Sequence, residues 1–296
     1  MDETTKKIAD FYGHFNFPSK NKISDFDVFF ALLGQDNTKF LKNKKILDAG
    51  CGTGERSSYL AYCGAEVIGI DLSLSSLKKA TSLAKKNKIN NAHFVKMDLM
   101  EPKLKKKQFD YIVCDGVLHH LSDPFMGLKN MSNLLKKRGY IIFGLYNHYS
   151  SLMIRIKRKI ISTLNVKRER KIKIANFLFN KNKKLSKQNK IWIADQFLNP
   201  NEAYFSVSSI LTWFKLNNLN YVSSFPPIEI GKYADMIFNK DFRLVNIRQT
   251  AIKNLIKKEN KKLKGLNNNK LLHILIQLFW NLPGGKDYFY MCGQKK

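Results

Sequence analysis

The chain is short of acid, of cysteine and of long apolar runs. Against 52 lysines and arginines it sets 23 aspartates and glutamates, which leaves a formal net charge of +29 over 296 residues. Its four cysteines, Cys51, Cys63, Cys114 and Cys292, form no CxxC pair and no His/Cys cluster with the spacing of zinc ligands. That pattern excludes a disulfide-stapled scaffold and a structural zinc site. The thiols read as free in a reducing compartment, and no metal is expected. No segment reaches the ~18–20 apolar residues that span a bilayer. The leading MDETTKK is polar and lacks the apolar core of a secretory signal, so a cytoplasmic location is expected. Arginine is scarce as well, with only eight among the 52 basic residues. Nucleic-acid sites favour arginine, whose planar fork pairs with phosphate and guanine. A lysine surplus rich in asparagine, as in FNKNKKLSKQNK (179–190), is what an AT-rich genome produces without a polyanionic partner. A nucleic-acid partner is therefore not favoured, although the charge keeps that reading open.

What is present is a globular composition, 44% hydrophobic and 12% aromatic, enough for one large core or two modest ones. From residue 44 to 147, apolar runs of strand length alternate with helical stretches. KKILDAG (44–50), AEVIGID (65–71), AHFVKMD (92–98), FDYIVCDG (109–116) and GYIIFGLYN (139–147) read as strands. SSYLAYC (57–63), SLSSLKKATSLAKKN (73–87) and PFMGLKNMSNLLKKRG (124–139) read as helices. That alternation predicts an α/β fold with a doubly wound, mostly parallel sheet and helices on both faces. SVSSILTWFKLNN (206–218) reads as a helix capped at Ser206, NYVSSF (220–225) as a sixth strand and KDYFYMCGQ (286–294) as a seventh. Two basic helical inserts are expected at about 148–200 and 226–285. The second includes IRQTAIKNLIKKENKKLKG (247–265) and KLLHILIQLFWNL (270–282). Residues 1–43 form a helical leader, with FYGHFNF (11–17) and FDVFFALLG (26–34) as its apolar segments, ahead of a domain running from 44 to 296.

The segment that carries chemistry is ILDAGCGTGERS (46–57). A strand ends at Asp48, runs through Gly50, Cys51, Gly52 and Gly54, and turns into a helix. Glycines let a backbone turn sharply and approach a ligand closely. A helix N-terminus adds oriented N–H groups. The GxGxxG fingerprint of nicotinamide dehydrogenases fails in both frames, meeting Glu55 or Ser57 where the third glycine belongs.

DxGxGxG instead resembles the first motif of class I S-adenosylmethionine-dependent methyltransferases, and four further positions follow in that family's order. Asp71, followed by Leu72, ends the second strand. Asp98, between Met97 and Leu99, ends the third. Asp115 and Gly116 follow the fourth, and GYIIFGLYN resembles the fifth. The resemblance implies a Rossmann-like seven-stranded fold and S-adenosyl-L-methionine as cofactor. It gives Asp71 the ribose hydroxyls and Asp98 the adenine amino group, with apolar neighbours sandwiching the ring. The loop at Asp115 passes the methionine moiety. The resemblance covers residues 45–147 well and 206–225 and 286–294 weakly.

It also sets His119 and His120 beside the expected methyl position, where a neutral imidazole serves as base or orienter. Packing on the sheet is the competing reading for both. Tyr146, with Asn147 and His148, follows the fifth strand, and Tyr146 is a candidate to orient the acceptor. Asp195 is a candidate for the substrate pocket, and Tyr12 and Phe15 for a lid over the cofactor. The expected activity is methyl transfer to an unidentified small-molecule acceptor. An RNA methyltransferase is the alternative, without an appended RNA-binding module and with CDGV (114–117) where amino-methylating enzymes carry an NPPF/Y-type tetrapeptide. A membrane-surface lipid or quinone methyltransferase is a further one. It would make peripheral contact through the apolar 270–282 segment, with no transmembrane segment.

Overall fold

Strand residues alternate between two apolar faces, so the sheet must be covered on both sides. In β1 (Lys45–Ala49), Leu47 and Ala49 join one buried cluster while Ile46 joins another. In β4 (Phe109–Asp115), Ile112 and Cys114 face the first cluster and Val113 the second. β5 (Leu135–Tyr146) divides the same way, with Ile141, Phe143 and Leu145 against Ile142. The computed structural model describes residues 1–15, 27–35, 37–180, 184–228, 270–280 and 287–296. Seven strands form one sheet in the order β3-β2-β1-β4-β5-β7-β6, where β2 is Glu66–Asp71, β3 Ala92–Lys96, β6 Leu219–Phe225 and β7 Tyr288–Lys295. β7 runs antiparallel to both β5 and β6, and every pairing among β1–β5 is parallel. The architecture is thus Rossmann-like and mixed, with one reversed strand.

α1 (Glu3–His14), α2 (Asp27–Leu32), α3 (Glu55–Tyr62), α4 (Leu74–Lys86) and α5 (Pro124–Leu134) precede β5 or lead into it. α2, α3 and α4 contribute to one face, α5 to the other. α5 stops five residues short of the helix expected over 124–139. LLKKR has helical period, but Leu135 pairs with Phe109 and Arg138 takes a left-handed φ of 61°, so the chain is already in the strand. α1 begins eight residues before the aromatic run that signals it, capped by the Asp2 carboxylate on the Thr5 N–H. The cap expected at Ser206 is present, its hydroxyl accepting from the Ser209 N–H at the start of α9 (Val207–Leu216).

After β5 come α6 (Leu152–Thr163), α7 (Arg168–Phe179) and α8 (Lys187–Leu198). Their apolar residues Ile161, Ile172, Ala175, Ile193, Ala194 and Phe197 enclose Phe11 of α1 in a third cluster. The N-terminal helix and the helices after β5 therefore make one layer. Of the second expected insert, residues 229–269 and 281–285 lie outside the described residues, the expected helix 247–265 among them. α10 (Lys270–Phe279) buries His273, Ile276 and Gln277 and exposes Leu271, Leu275 and Leu278. The apolar segment read as a membrane candidate thus packs one face into the protein. Among the described residues no helix is long and apolar enough to cross a membrane.

Candidate active site

Strand order reverses between β1 and β4, and the crevice at such a switch point is where open α/β sheets hold ligands. The two loops that rim it touch. Gly50 has a φ of 74°, and a Cβ there would stand 2.1 Å from a Val117 methyl, so only glycine lets the loops close on each other. Gly50 and Cys51 donate their N–H groups to the Ile70 carbonyl at 2.8 and 3.0 Å, which fixes the loop to β2. Gly52, with a φ of 54°, is different: a Cβ there would meet nothing within 4 Å. Its N–H donates to Asp71 Oδ2 at 2.9 Å, and the Ser73 N–H donates to Asp71 Oδ1 at 2.8 Å. The Leu72 N–H bonds this carboxyl as well, which leaves part of its acceptor capacity for a further donor, and burial pushes it up from its ordinary range. Leu72 is half-buried beside it. Gly54 packs a would-be Cβ 2.5 Å from Ala80 of α4, so its role is helix packing. At the end of β3, Asp98 accepts from the Met100 N–H at 2.9 Å, with Leu99 buried and Met97 packed on the core. The Cys51 thiol is buried and pushed up by that burial.

Beneath the crevice lies an ion cluster. Asp48 is fully buried; its Oδ1 accepts from Arg56 Nη2 at 2.7 Å and Nε at 3.1 Å, and its Oδ2 from the Ser57 hydroxyl at 2.6 Å. Arg56 Nη1 reaches Asp115 Oδ2 at 3.1 Å, and the Tyr288 hydroxyl donates to Asp115 Oδ1 at 2.8 Å. One guanidinium thus joins β1, α3 and β4, and Tyr288 brings in β7. Gly116, φ 76°, follows Asp115 and is exposed at the rim.

On the other side of the crevice His119 and His120 stand 4.1 Å apart between ring centroids, and His119 lies 4.8 Å from Tyr146. Burial drives the His119 imidazole well below its ordinary value and lowers His120 too, so both are neutral near pH 7. His120 Nδ1 lies 2.8 Å from the Asn201 carbonyl, and the Asn201 amide donates to the His120 and Leu121 carbonyls at 3.0 and 2.8 Å. The Ala203 N–H donates to the His119 carbonyl at 2.8 Å. The segment between α8 and α9 is therefore laced onto the histidine turn. Tyr12 joins from α1, its ring 5.9 Å from His120 and its hydroxyl donating to Asp195 at 2.9 Å. Phe15 does not join; it packs on Phe11 under Arg168. Nor do the two residues after Tyr146. Asn147 is buried as a turn anchor for the Tyr149 and Ser150 N–H groups, and His148 is exposed beside Arg155.

Residues 40–202 match the model of a family described as a methyltransferase domain. The chain belongs to that family. A ubiquinone biosynthesis O-methyltransferase of Pelagibacter ubique is 36% identical over 128 residues, which cover 43% of this chain and 50% of that one. An uncharacterised protein of Synechococcus sp. is 27% identical over 202 residues, 62% of this chain and 48% of that one. The chain thus spans about half the length of the curated relatives it matches. Among solved structures, PKMT2 from Rickettsia typhi in complex with AdoHcy has a TM-score of 0.59 at 15% identity, covering 94% of this chain and 52% of that one. The YcgJ protein of Bacillus subtilis has a TM-score of 0.51 at 14% identity, covering 91% and 98%. At these identities the likeness is one of fold.

Four side chains around the crevice and its cover escape a linear reading: Arg56, Glu202, Tyr204 and Tyr288. Glu202 is buried, accepts from Arg158 Nη1 at 2.7 Å and from the Tyr204 hydroxyl at 2.5 Å, and is pushed up to about 7 by burial against the opposing pull of Arg158. Tyr204 and Tyr288 lie 6.0 and 5.1 Å from Tyr146. Only Arg56 carries a sequence signal. A cation in the first turn of a helix opposes the helix dipole, which is tolerable where carboxylates wait beside it.

Proposed function

We propose that this chain transfers a methyl group from S-adenosylmethionine to a small-molecule acceptor held against His119, His120 and Tyr146. The observation that carries the reading is the cover over that side. α1, α8 and the 199–205 segment close on the histidine turn so far that His119 is 1% and His120 5% exposed. A covered site suits a small acceptor better than a polymer, and it excludes water from the reacting centre.

The residues fit the cofactor. The space beside Gly52 leaves room for its close approach, the Asp71 carboxylate stands at the rim as an acceptor for a ribose hydroxyl, and Met97, Asp98 and Leu99 line the expected adenine position. Asp48 acts one step back, by holding Arg56 and through it Asp115. When bound, S-adenosylmethionine supplies a methyl on a cationic sulfonium, an electrophile that needs no metal or protein nucleophile. The chain's part is to align an acceptor and manage its proton. Neutral His119 and His120 can accept that proton, and Tyr146 can orient the acceptor. The test is calorimetric titration with S-adenosylhomocysteine, beside NAD as a control. Tight binding of the former alone is expected, lost in Gly52→Arg and weakened in Asp71→Ala with the fold retained. Normal binding by both variants would refute the site.

A second reading, peripheral contact with an anionic membrane surface, is supported by α6. Leu152, Ile156 and Ile160 share one helix face by their spacing of four, and all are exposed, as is Met153. Residues 150–190 carry fourteen lysines and arginines against one glutamate. Exposed apolar rows flanked by cations suit anionic lipid better than nucleic acid. Co-sedimentation with anionic vesicles, abolished by Leu152→Ser with Ile156→Ser and Ile160→Ser, is the expected result. Salt-sensitive RNA binding without vesicle binding would favour the polymer reading instead.

A further inference from the structure

Charge is sorted between the two ends of the sheet. At the crevice end, residues 48–56, 71–74, 97–101, 115–123 and 146–151 hold seven aspartates and glutamates and a single cation, Arg56. At the opposite end β1–β6 begin and β7 finishes. Residues 42–45, 64–66, 85–92, 105–110, 135–139, 215–219 and 294–296 lie there, with fifteen lysines and arginines and two acids, Glu66 and Asp110. A compositional surplus of lysine has no reason to favour one end over the other.

Both acids of the basic end are already engaged. Glu66 meets Lys45 at 3.5 Å, and Asp110 accepts from Lys136 Nζ and from the Lys45 N–H, each at 2.9 Å. Lys86, Lys106 and Lys137 are exposed and form no ion pair among the described residues. Helix dipoles account for Lys85, Lys86 and Lys215, which lie in the last turns of α4 and α9. They do not account for Lys105, Lys106 and Lys107, because β4 follows β3 with no helix between them. The turns into the strands add a further sign. Among the described residues the non-glycine positions with a left-handed φ are Asn43, Lys88, Lys107, Arg138 and Asn218, and all five stand at this end. Asparagine relieves that conformation by bonding locally, whereas lysine and arginine do not.

Strand order sets these cations in a row: Lys88 before β3, Lys44 before β1, Lys107 before β4, Arg138 in β5 and Lys296 after β7. The six gaps between seven strands, at about 4.8 Å each, make the row about 29 Å long, and the twist of the sheet coils it. A line of cations suits a line of phosphates better than a compact anion. A coiled line suits a flexible single strand better than a straight duplex. Lipid is served less well. Tyr62 and Leu216 are large apolar side chains exposed at this end, but they stand singly, in contrast to the row on α6. With one arginine among the fifteen cations, the contacts are to the backbone and not to base edges.

We propose that the end of the sheet opposite the crevice binds single-stranded RNA through its phosphates and holds it as a tether. β1 and β4 are five and seven residues long, which sets about 16–23 Å between the two ends. The bound segment is therefore not the methyl acceptor, and the proposal stands whatever the crevice holds.

The test follows the anisotropy of a fluorescent oligouridylate of about 12 nucleotides titrated with the full chain. About five engaged phosphates give a slope of about −3.5 in log K against log[NaCl], a loss of about a hundredfold between about 50 and 200 mM. Lys86→Glu with Lys106→Glu and Lys137→Glu should weaken binding at least about thirtyfold at the lower salt. Lys79→Glu with Lys129→Glu and Lys173→Glu makes the same change of net charge at exposed positions elsewhere, and should weaken it less than about threefold. Equal losses in the two triple variants would show that net charge alone drives binding, and would overturn the proposal. So would no binding by the wild type, tighter binding of a duplex of the same length, or equal competition by polyglutamate. Photocrosslinking of the wild type to a thiouridine-labelled strand keeps the test independent of how the variants fold. Adducts are expected in 85–92, 105–110 and 135–139. Adducts confined to 115–123 or 199–205 would make the RNA an acceptor at the crevice and overturn the tether.

Discussion

Arg56 stands between two carboxylates on neighbouring strands, and the cluster is worth more broken than built. Its side chain is 17% exposed and that of Asp48 is not exposed at all, so water does little to screen either charge. Arg56→Met leaves Asp48 and Asp115 uncompensated at the base of the crevice. The expected cost is about 3–5 kcal/mol in denaturant unfolding, with S-adenosylhomocysteine binding lost. A cost under about 1 kcal/mol would mean that the cluster is well hydrated and not structural. The acceptor side makes a prediction of another kind, because two of its groups respond to pH with opposite sign. Glu202 is pushed up to about 7 from 4.5, so the folded chain holds its proton more tightly than the unfolded chain. Its contribution is fully present below pH 4.5 and is lost as the pH rises toward 7. His119 is depressed well below 6.5, so the unfolded chain binds that proton more tightly and stability is lost as pH falls through 6.5. Glu202→Gln should flatten the loss of Tm between pH 4.5 and 7, and His119→Gln should flatten the loss below 6.5. Unchanged slopes in both would mean that these groups titrate in the folded protein as they do unfolded.

Elements are joined to one another through a few polar contacts that no local pattern announces. Gln277 of α10 is fully buried, and its Oε1 accepts from the Asn147 amide at 2.7 Å and from the Val207 N–H at 2.9 Å. It thereby ties the end of β5 to the first turn of α9. Gln277→Leu keeps the size and strands both donors, so a loss of about 2–4 kcal/mol is expected; a neutral result would mean that water replaces the amide. The strands, the glycine loop and the Ser206 cap are all legible in sequence because each is written in contiguous residues: apolar runs, positive-φ glycines, a serine before a helical stretch. The fifth strand's first turn was not, since Leu135–Arg138 has helical composition and becomes strand only by pairing with a residue 26 positions earlier. The acid positions of the crevice could be placed at strand ends for the same local reason. Arg56 with its two carboxylates, and the Glu202–Tyr204 and Tyr288 walls, could not. They are brought together by the sheet order and by the layer of α1 and α6–α8, and neither exists until the chain has folded.

For the whole molecule the imbalance of charge is sharper than the composition suggests. Of the 23 acids, Asp48, Asp71, Asp115, Asp195 and Glu202 are drawn into the crevice and its cover, where they are buried or half-buried. Among the described residues no lysine is buried, and fewer carboxylates are left outside to meet them. Self-repulsion of this kind destabilises a compact state, and it acts between exposed charges, which salt screens. Raising NaCl from about 20 mM to about 0.5 M shortens the screening length from roughly 20 Å to roughly 4 Å. Relief of about 2 kcal/mol would raise Tm by roughly 3 °C in a chain of this size. The buried ion cluster of Arg56 is screened much less, so the Tm difference between the wild type and Arg56→Met should stay nearly constant across the same series. A Tm that does not move with salt would show that the lysines are too widely spread to repel. A wild-type advantage over Arg56→Met that shrinks with salt would show that the cluster is open to solvent, and would undercut the structural role assigned to Asp48.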